Sequence, residues 1–461
     1  MNFLRLTILA AIPLLVSSAM RADAIDDYVR KQMRQQRLPG VALAVVRGGA
    51  VSTMRTYGTA NLELGVPVTE ETVFELGSIT KQFTAVAILM LVEEGKVGLD
   101  ERIATYLPQV PKPWQAITVR HLLSHSSGMQ EYLSVPGLPD EAHAAVSREK
   151  MARLFFQRLK LEFAPGETWS YSNSGYLLLG SIIEKASGKS YWKFLSERIF
   201  SPLRMHATRS SDPRAIIRNR AAGYGWHDDR FENRGALSEN AYGAGAISST
   251  IGDMARWEAA LHTGKLLTRR SYDQMWTALK VSRSDTPPFS YGFGWVIEQQ
   301  RGTRVVLHSG GTPGFSSLFH RYLDREVSVI VLTNHGDRII DHWAREVAGI
   351  VLPALARNRA KSDPDPVLSQ RLKTALRDVM AGTQDPKLFT PAMQLFLTTA
   401  TGRGLWEWVG SHGELKSLTY AESEHVGDNT VRRYSASLGD GEFWFSFTLT
   451  KSGEIAQIYW W

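Results

Sequence analysis

The spacing of apolar and polar residues changes several times along the chain, and each change marks an element. Val41-Ala42-Leu43-Ala44-Val45-Val46 is an unbroken apolar run, residues 51–57 are again β-prone, and Arg47-Gly48-Gly49-Ala50 lies between them. A hairpin is expected there. From Ser78 to about Glu94 the interval lengthens: Phe83, Ala87, Met90 and Leu91 recur at helical spacing and Gly95 follows as a stop. That helix is apolar on much of its circumference and should be buried. Further helices are expected at residues 147–159, 176–186, 191–199 and 250–261. The last is opened by Ser248-Ser249-Thr250 with Asp253 three residues on, like a capping box. Strands return at residues 291–298, 304–307, 316–322 and 327–333.

Strands therefore sit at both ends of the first ~350 residues and helices fill the middle. This arrangement predicts an α/β sandwich: one antiparallel sheet, its edges drawn from both termini of the domain, flanked by helices and carrying a helical lobe. Near Ala360-Lys361-Ser362-Asp363-Pro364-Asp365-Pro366 the chain turns polar and proline-rich, which reads as a linker over residues 356–368. Beyond it, a helical stretch and alternating runs at 415–422, 430–438, 442–450 and 455–461 predict a small α+β accessory domain, residues 369–461, with no chemistry of its own visible. No internal repeat is present, which sets solenoids and propellers aside.

The N-terminus has a basic start at Arg5, an apolar run over residues 6–16, and small residues up to Ala24. Residues 1–24 read as an export signal, cut after Ala24 or Ala19, which leaves a main domain at 25–355 and predicts a periplasmic or secreted protein. The apolar run is short of the ~20 residues a bilayer-crossing helix needs, so no transmembrane span is expected. With 461 residues, 43% of them hydrophobic, the chain can bury a large core. The absence of cysteine excludes disulfides, thiolate metal sites and a thiol nucleophile. A formal charge of +7 raises nucleic-acid binding, but the Lys and Arg residues are scattered rather than striped, so no nucleic-acid partner is expected.

Candidate chemistry starts at Gly77-Ser78-Ile79-Thr80-Lys81, where a hydroxyl and an amine three residues apart share one face of a buried helix near its N-terminus. A serine needs a base, and burial near the positive end of a helix dipole disfavours the charged form of lysine, which makes Lys81 a candidate base. Tyr171-Ser172-Asn173 follows a turn-rich stretch; Tyr171 could relay protons and Asn173 could hold a substrate amide or the lysine. His308-Ser309-Gly310-Gly311 comes directly after the strand-like 304–307, where small residues let a substrate backbone approach and a free N–H can form half of an oxyanion hole. Tyr224, Trp226 and Trp295 are candidate cleft-lining aromatics. No Gly-x-Ser-x-Gly elbow occurs, which argues against an α/β-hydrolase. His121 and His125 have metal-ligand spacing but lack a zinc-protease context, so neither metal nor cofactor is expected.

These three elements, in this order, resemble the serine β-lactamase and penicillin-binding protein superfamily, in the branch of class C β-lactamases, DD-carboxypeptidases and related esterases. Phe74-Glu75-Leu76-Gly77, residues 117–128, Tyr242-Gly243-Ala244-Gly245 and Tyr291-Gly292-Phe293-Gly294-Trp295 are similar to that branch as well. The resemblance implies an acyl-enzyme on Ser78, an oxyanion held by the N–H groups of Ser78 and Gly311, proton work shared by Lys81 and Tyr171, and substrate held by Asn173. Where β-lactamases of the branch usually carry lysine-threonine-glycine, this chain has His308-Ser309-Gly310. That departure implies a peptidase or esterase acting on peptides or small molecules, not an efficient β-lactam hydrolase. A slowly acylating penicillin-binding sensor is a third possibility.

Overall fold

In the computed structural model, residues 11–143, 147–235, 241–283, 290–336, 340–356, 362–439 and 441–460 are described. Residues 1–10 of the expected export signal and residues 357–361 of the expected linker lie outside them.

Seven strands make one antiparallel sheet: β1 (Gly40–Arg47), β2 (Ala50–Asn61), β3 (Val66–Pro67), β4 (Val296–Gln300), β5 (Thr303–Thr312), β6 (Phe315–Tyr322) and β7 (Val327–Thr333). Their spatial order is β3-β2-β1-β7-β6-β5-β4. The edges come from opposite ends of the domain, and so does the central pair, in which Val41 faces Thr333 and Arg47 faces Val327. Side-chain alternation splits β1 between two cores. Val41, Leu43 and Val45 pack with α1 (Ala11–Gln36) and with Trp343 and Val347 further along the chain. Ala42, Ala44 and Val46 join the core under α2 (Thr80–Glu93). Both faces of the sheet are therefore covered, and every residue of β7 is buried.

Twelve consecutive residues of α2, Thr80 to Leu91, are buried. Phe83 stacks on Trp257 with ring centroids 4.1 Å apart. Truncating such a ring costs about 3–5 kcal/mol, so α2 is a rigid seat for whatever its first turn carries. The helical lobe includes α3 (Asn173–Ser187), whose Ser172 N-cap accepts from the Gly175 N–H. It also includes α4 (Ile251–Thr263), capped by Thr250 onto the Asp253 N–H. On the far face of the sheet lies α5 (Asp341–Val351).

The C-terminal elements are α6 (Pro366–Ala381), α7 (Pro391–Thr398), α8 (Ala400–Gly410) and a four-stranded antiparallel meander, β8 (Leu415–Val426), β9 (Asn429–Leu438), β10 (Gly441–Leu449) and β11 (Ile455–Trp460). They share a core of Leu372, Leu376, Phe396, Trp406, Tyr434 and Phe445, into which Trp169 and Tyr291 of the main domain are inserted.

Two strand expectations change. The strand expected from residue 291 starts at Val296, because Gly294 at φ +81° and the Gly292 N–H to Trp295 carbonyl bond of 2.8 Å make a turn first. The strand expected to end at residue 307 runs on to Thr312, since pairing with β6 continues through Thr312↔Phe315 although His-Ser-Gly-Gly has little β propensity. Among the described residues no helix is long and apolar enough to cross a membrane.

Candidate active site

A short 3₁₀ turn, Gly77–Ile79, leads into α2 and puts Ser78 at the mouth of the helix. The turn is anchored from behind: the Leu76 N–H donates to the Ile247 carbonyl (2.8 Å), and the Leu76 carbonyl accepts from Ser317 Oγ on β6 (2.7 Å). β5 presses against the same turn. A Cβ on Gly310 would lie 2.0 Å from the Leu76 carbonyl oxygen and 3.0 Å from the Ser78 nitrogen, and one on Gly77 would lie 2.7 Å from the Gly311 nitrogen. Both positions must be glycine for the strand and turn to meet. β4 stops pairing with β5 at Val296↔Leu307, so from His308 onward that edge of β5 is uncovered by β4, and Gly311 is exposed.

Lys81, in the first turn of α2, is fully buried. Its Nζ is 3.0 Å from Ser78 Oγ, 2.7 Å from Asn173 Oδ1 and 2.7 Å from the Ala244 carbonyl. Asn173 Oδ1 and the Ala244 carbonyl can only accept. A neutral amine gives them its two N–H groups and turns its lone pair on the Ser78 hydroxyl. Burial pushes the Lys81 ammonium down to about 7, with the Glu131 carboxylate pulling the other way.

Tyr171 reaches the same serine, its hydroxyl donating to Ser78 Oγ at 2.8 Å and its ring centroid 4.8 Å from Lys81 Nζ. Burial raises its pKa, so it stays a neutral phenol with a proton to give. Ser78, Tyr171, Asn173 and Ser309 are partly exposed, and beneath them lies a buried polar layer of Lys81, His125, Glu131 and His308.

Two members of that layer were not among the expected site residues. Glu131 accepts from both the backbone N–H and the side-chain Nδ2 of Asn173, and so fixes the amide that holds Lys81. Burial raises the Glu131 pKa. His125, at φ +58°, accepts from the Ser172 N–H through Nδ1 (3.1 Å) and packs its ring on Tyr171 (4.3 Å between centroids). Its place in a family-like segment is visible in the sequence, but its spacing from His121 points only to a metal, which gives no hint of this contact with Tyr171. The other histidine of that pair, His121, receives the Thr118 N–H on Nδ1 (3.2 Å) and closes a capping box.

His308 is buried in β5 with its Nδ1 2.6 Å from the Ser309 carbonyl and its Nε2 2.8 Å from the Tyr291 hydroxyl. A carbonyl only accepts, so Nδ1 carries the proton and Nε2 accepts from Tyr291. Burial and the nearby Lys81 push the imidazole down to about 3, which keeps it neutral.

The three cleft aromatics are corrected. Trp295 is fully buried against Phe319 in the main core and has no face to offer a cleft. Tyr224 is buried and gives its hydroxyl to Glu63 while accepting from the Leu62 N–H, so it braces a surface loop. Trp226 lies under the Arg37 guanidinium, 4.3 Å from its ring centroid, beside the end of α1. Aromatic character alone did not tell a packing residue from a lining one. Among the described residues no group of three or more His, Asp or Glu side chains gathers as a metal site would.

A serine at the head of a buried helix, its hydroxyl touching a buried lysine and a phenol and its turn set against an antiparallel sheet, defines a serine hydrolase of the β-lactamase fold. The chain belongs to the Beta-lactamase family, whose pattern residues 25–349 match. It is 34% identical over 311 residues to penicillin-binding protein 4* of Bacillus subtilis (strain 168), covering 64% of this chain and 68% of that one. It is 28% identical over 344 residues to the D-aminopeptidase of Brucella canis, covering 74% of this chain and 65% of the relative. The fold is shared with the octameric penicillin-binding protein homologue from Pyrococcus abyssi at a TM-score of 0.63 and 21% identity, over 95% of each chain.

Proposed function

We propose that the chain hydrolyses amide carbonyls through an acyl-enzyme on Ser78, with D-amino-acid or envelope peptides and amides as the substrate class. The observation that carries this reading is the coordination of Lys81: its Nζ lies 2.7 Å from two fixed acceptors, Asn173 Oδ1 and the Ala244 carbonyl, and 3.0 Å from Ser78 Oγ, so the neutral amine has one direction left in which to take the serine proton. Ser78 Oγ attacks the carbonyl carbon and its proton passes to Lys81. The C–N bond then breaks as the leaving amine takes a proton from Tyr171, which Lys81 restores. Water attacks the acyl carbonyl, releases the acid and returns Ser78 to its starting state. The oxyanion is held by the N–H groups of Ser78 and Gly311, at the junction where Gly77 and Gly310 let strand and turn meet. The D-aminopeptidase relative supports the substrate class.

One observation favours a second reading alongside the first. His308 is held neutral, so a carboxylate lying along β5 meets no positive charge there. This supports carbonyls with uncharged flanks, namely amides and small acyl esters, over peptides ending in a free carboxylate. Residues 1–24 are proposed as an export signal, which makes the protein periplasmic or secreted; the basic start and short apolar run support it.

The test is to incubate the protein with a labelled β-lactam, a D-Ala-D-Ala peptide, a D-alanyl amide and a p-nitrophenyl ester, beside Ser78→Ala. Turnover of amide and ester that vanishes in Ser78→Ala is the expected result. Activity that survives the substitution overturns the reading, and stable label without product points to a penicillin-binding sensor instead.

A further inference from the structure

Four consecutive residues ahead of α3 each meet the C-terminal domain. Thr168 Oγ1 donates to the Ala392 carbonyl (2.8 Å), and the Trp169 ring packs on Phe396 (5.7 Å between centroids). Ser170 Oγ donates to Thr399 Oγ1 (3.3 Å), and the Tyr171 carbonyl accepts from Thr401 Oγ1 (3.0 Å). Close by, the Glu162 carboxylate accepts from the Ala400 N–H (2.6 Å) in the first turn of α8. Thr399 in turn caps that helix through the Gly402 N–H (3.0 Å), so the threonines that meet the segment sit on a fixed helix start.

The gripped segment has neither helical nor strand structure from Trp169 to Ser172. Its backbone has no ladder to hold it, and every constraint on it comes from neighbours. On one side that neighbour is His125, whose carbonyl accepts from the Ser170 N–H (2.9 Å) and whose ring nitrogen accepts from Ser172. On the other side it is the C-terminal domain.

We propose that Thr401 is a positioning residue: by holding the main chain of Tyr171 it sets where the phenol stands relative to Ser78, and the C-terminal domain thereby completes the active site. This rests on the reading of Tyr171 as proton donor given above. A hydroxyl must stay within hydrogen-bond reach of the atom it serves, and a displacement of about 1 Å lowers rates by up to about 100-fold. The effect falls on steps that need the proton. An anilide leaving group requires protonation and a p-nitrophenolate does not, so the two classes separate this role from a general loosening of the site.

The experiment uses the full chain with Thr401→Val, which replaces the hydroxyl by a methyl, and Thr401→Ser, which keeps it, each in wild-type and Tyr171→Phe backgrounds. Acylation is measured with D-alanine p-nitroanilide and the matching p-nitrophenyl ester, and melting curves verify folding. Thr401→Val is expected to slow anilide acylation about 10- to 100-fold with KM nearly constant and the ester little changed. Thr401→Ser restores most of the rate, and Thr401→Val adds nothing in the Tyr171→Phe background. A normal anilide rate in Thr401→Val, an equal loss in both backgrounds, or an equal loss on anilide and ester overturns the inference. A normal anilide rate in Tyr171→Phe alone sinks the proton-donor reading itself, whereas a slow Tyr171→Phe beside a normal Thr401→Val sinks only the role of Thr401.

Discussion

Ser78 and Tyr171 bring two hydroxyls within 2.8 Å of each other from very different foundations. Ser78 rides on a helix buried over twelve successive residues and backed by a strand that touches it through glycine. Tyr171 sits in an irregular stretch held by side chains of two domains. The nucleophile is placed by the fold of the core, whereas the phenol is placed by a set of separate hydrogen bonds, several of which depend on a single side chain. The first kind of placement is robust and local; the second is adjustable, and it lets a distant part of the chain govern reactivity.

The largest effect expected from breaking this comparison is at the base. Lys81→Met should lower acylation by about 10²- to 10⁴-fold in stopped-flow assays, because among the described residues no other lysine is buried. Gly310→Ala comes next. The added methyl would sit 2.0 Å from the Leu76 carbonyl oxygen and 3.0 Å from the Ser78 nitrogen, so the strand must back away from the turn. A loss of about 10²- to 10³-fold in acylation is expected, with a destabilisation of about 1–3 kcal/mol by chemical denaturation. Tyr171→Phe should cost about 10²-fold with an anilide and much less with a p-nitrophenyl ester. The smallest change is in pH dependence. The neutral amine is the active form, so acylation should rise with pH through about 7. Glu131→Gln removes the charge that favours the ammonium, so the rise should move to lower pH; a shift the other way would show that Glu131 does not face the lysine electrostatically.

Much of the fold was legible because it is periodic. The helical interval from Phe83 to Leu91 and the apolar runs of β1, β6 and β7 announce buried elements, and the structure places α2 and these strands within a few residues of the expected limits. Ser78 and Lys81 were legible for the same reason, since a spacing of three sets both on one helix face. Glu131 was not. A lone carboxylate between Gln130 and Tyr132 has no period, and its burial comes from meeting Asn173, 42 residues further along the chain. Thr401 was still less visible, because a threonine at a helix start is ordinarily read as a cap, and its contact with Tyr171 exists only once two domains have docked. The extension of β5 past Leu307 was hidden by residues of low β propensity that gain their strand state from β6. Trp295 went astray in the opposite direction, as a large aromatic whose chemistry suits a cleft and whose packing belongs to the core.

The central pairing of β1 with β7 also bears on time. On an emerging chain the first strand is made early, yet its inner neighbour is not available until Thr333 has been synthesised. Until then the sheet cannot close, and non-local pairing of this kind folds slowly. Closure of the main domain is therefore tied to the completion of residue 333 and not to the early appearance of β1.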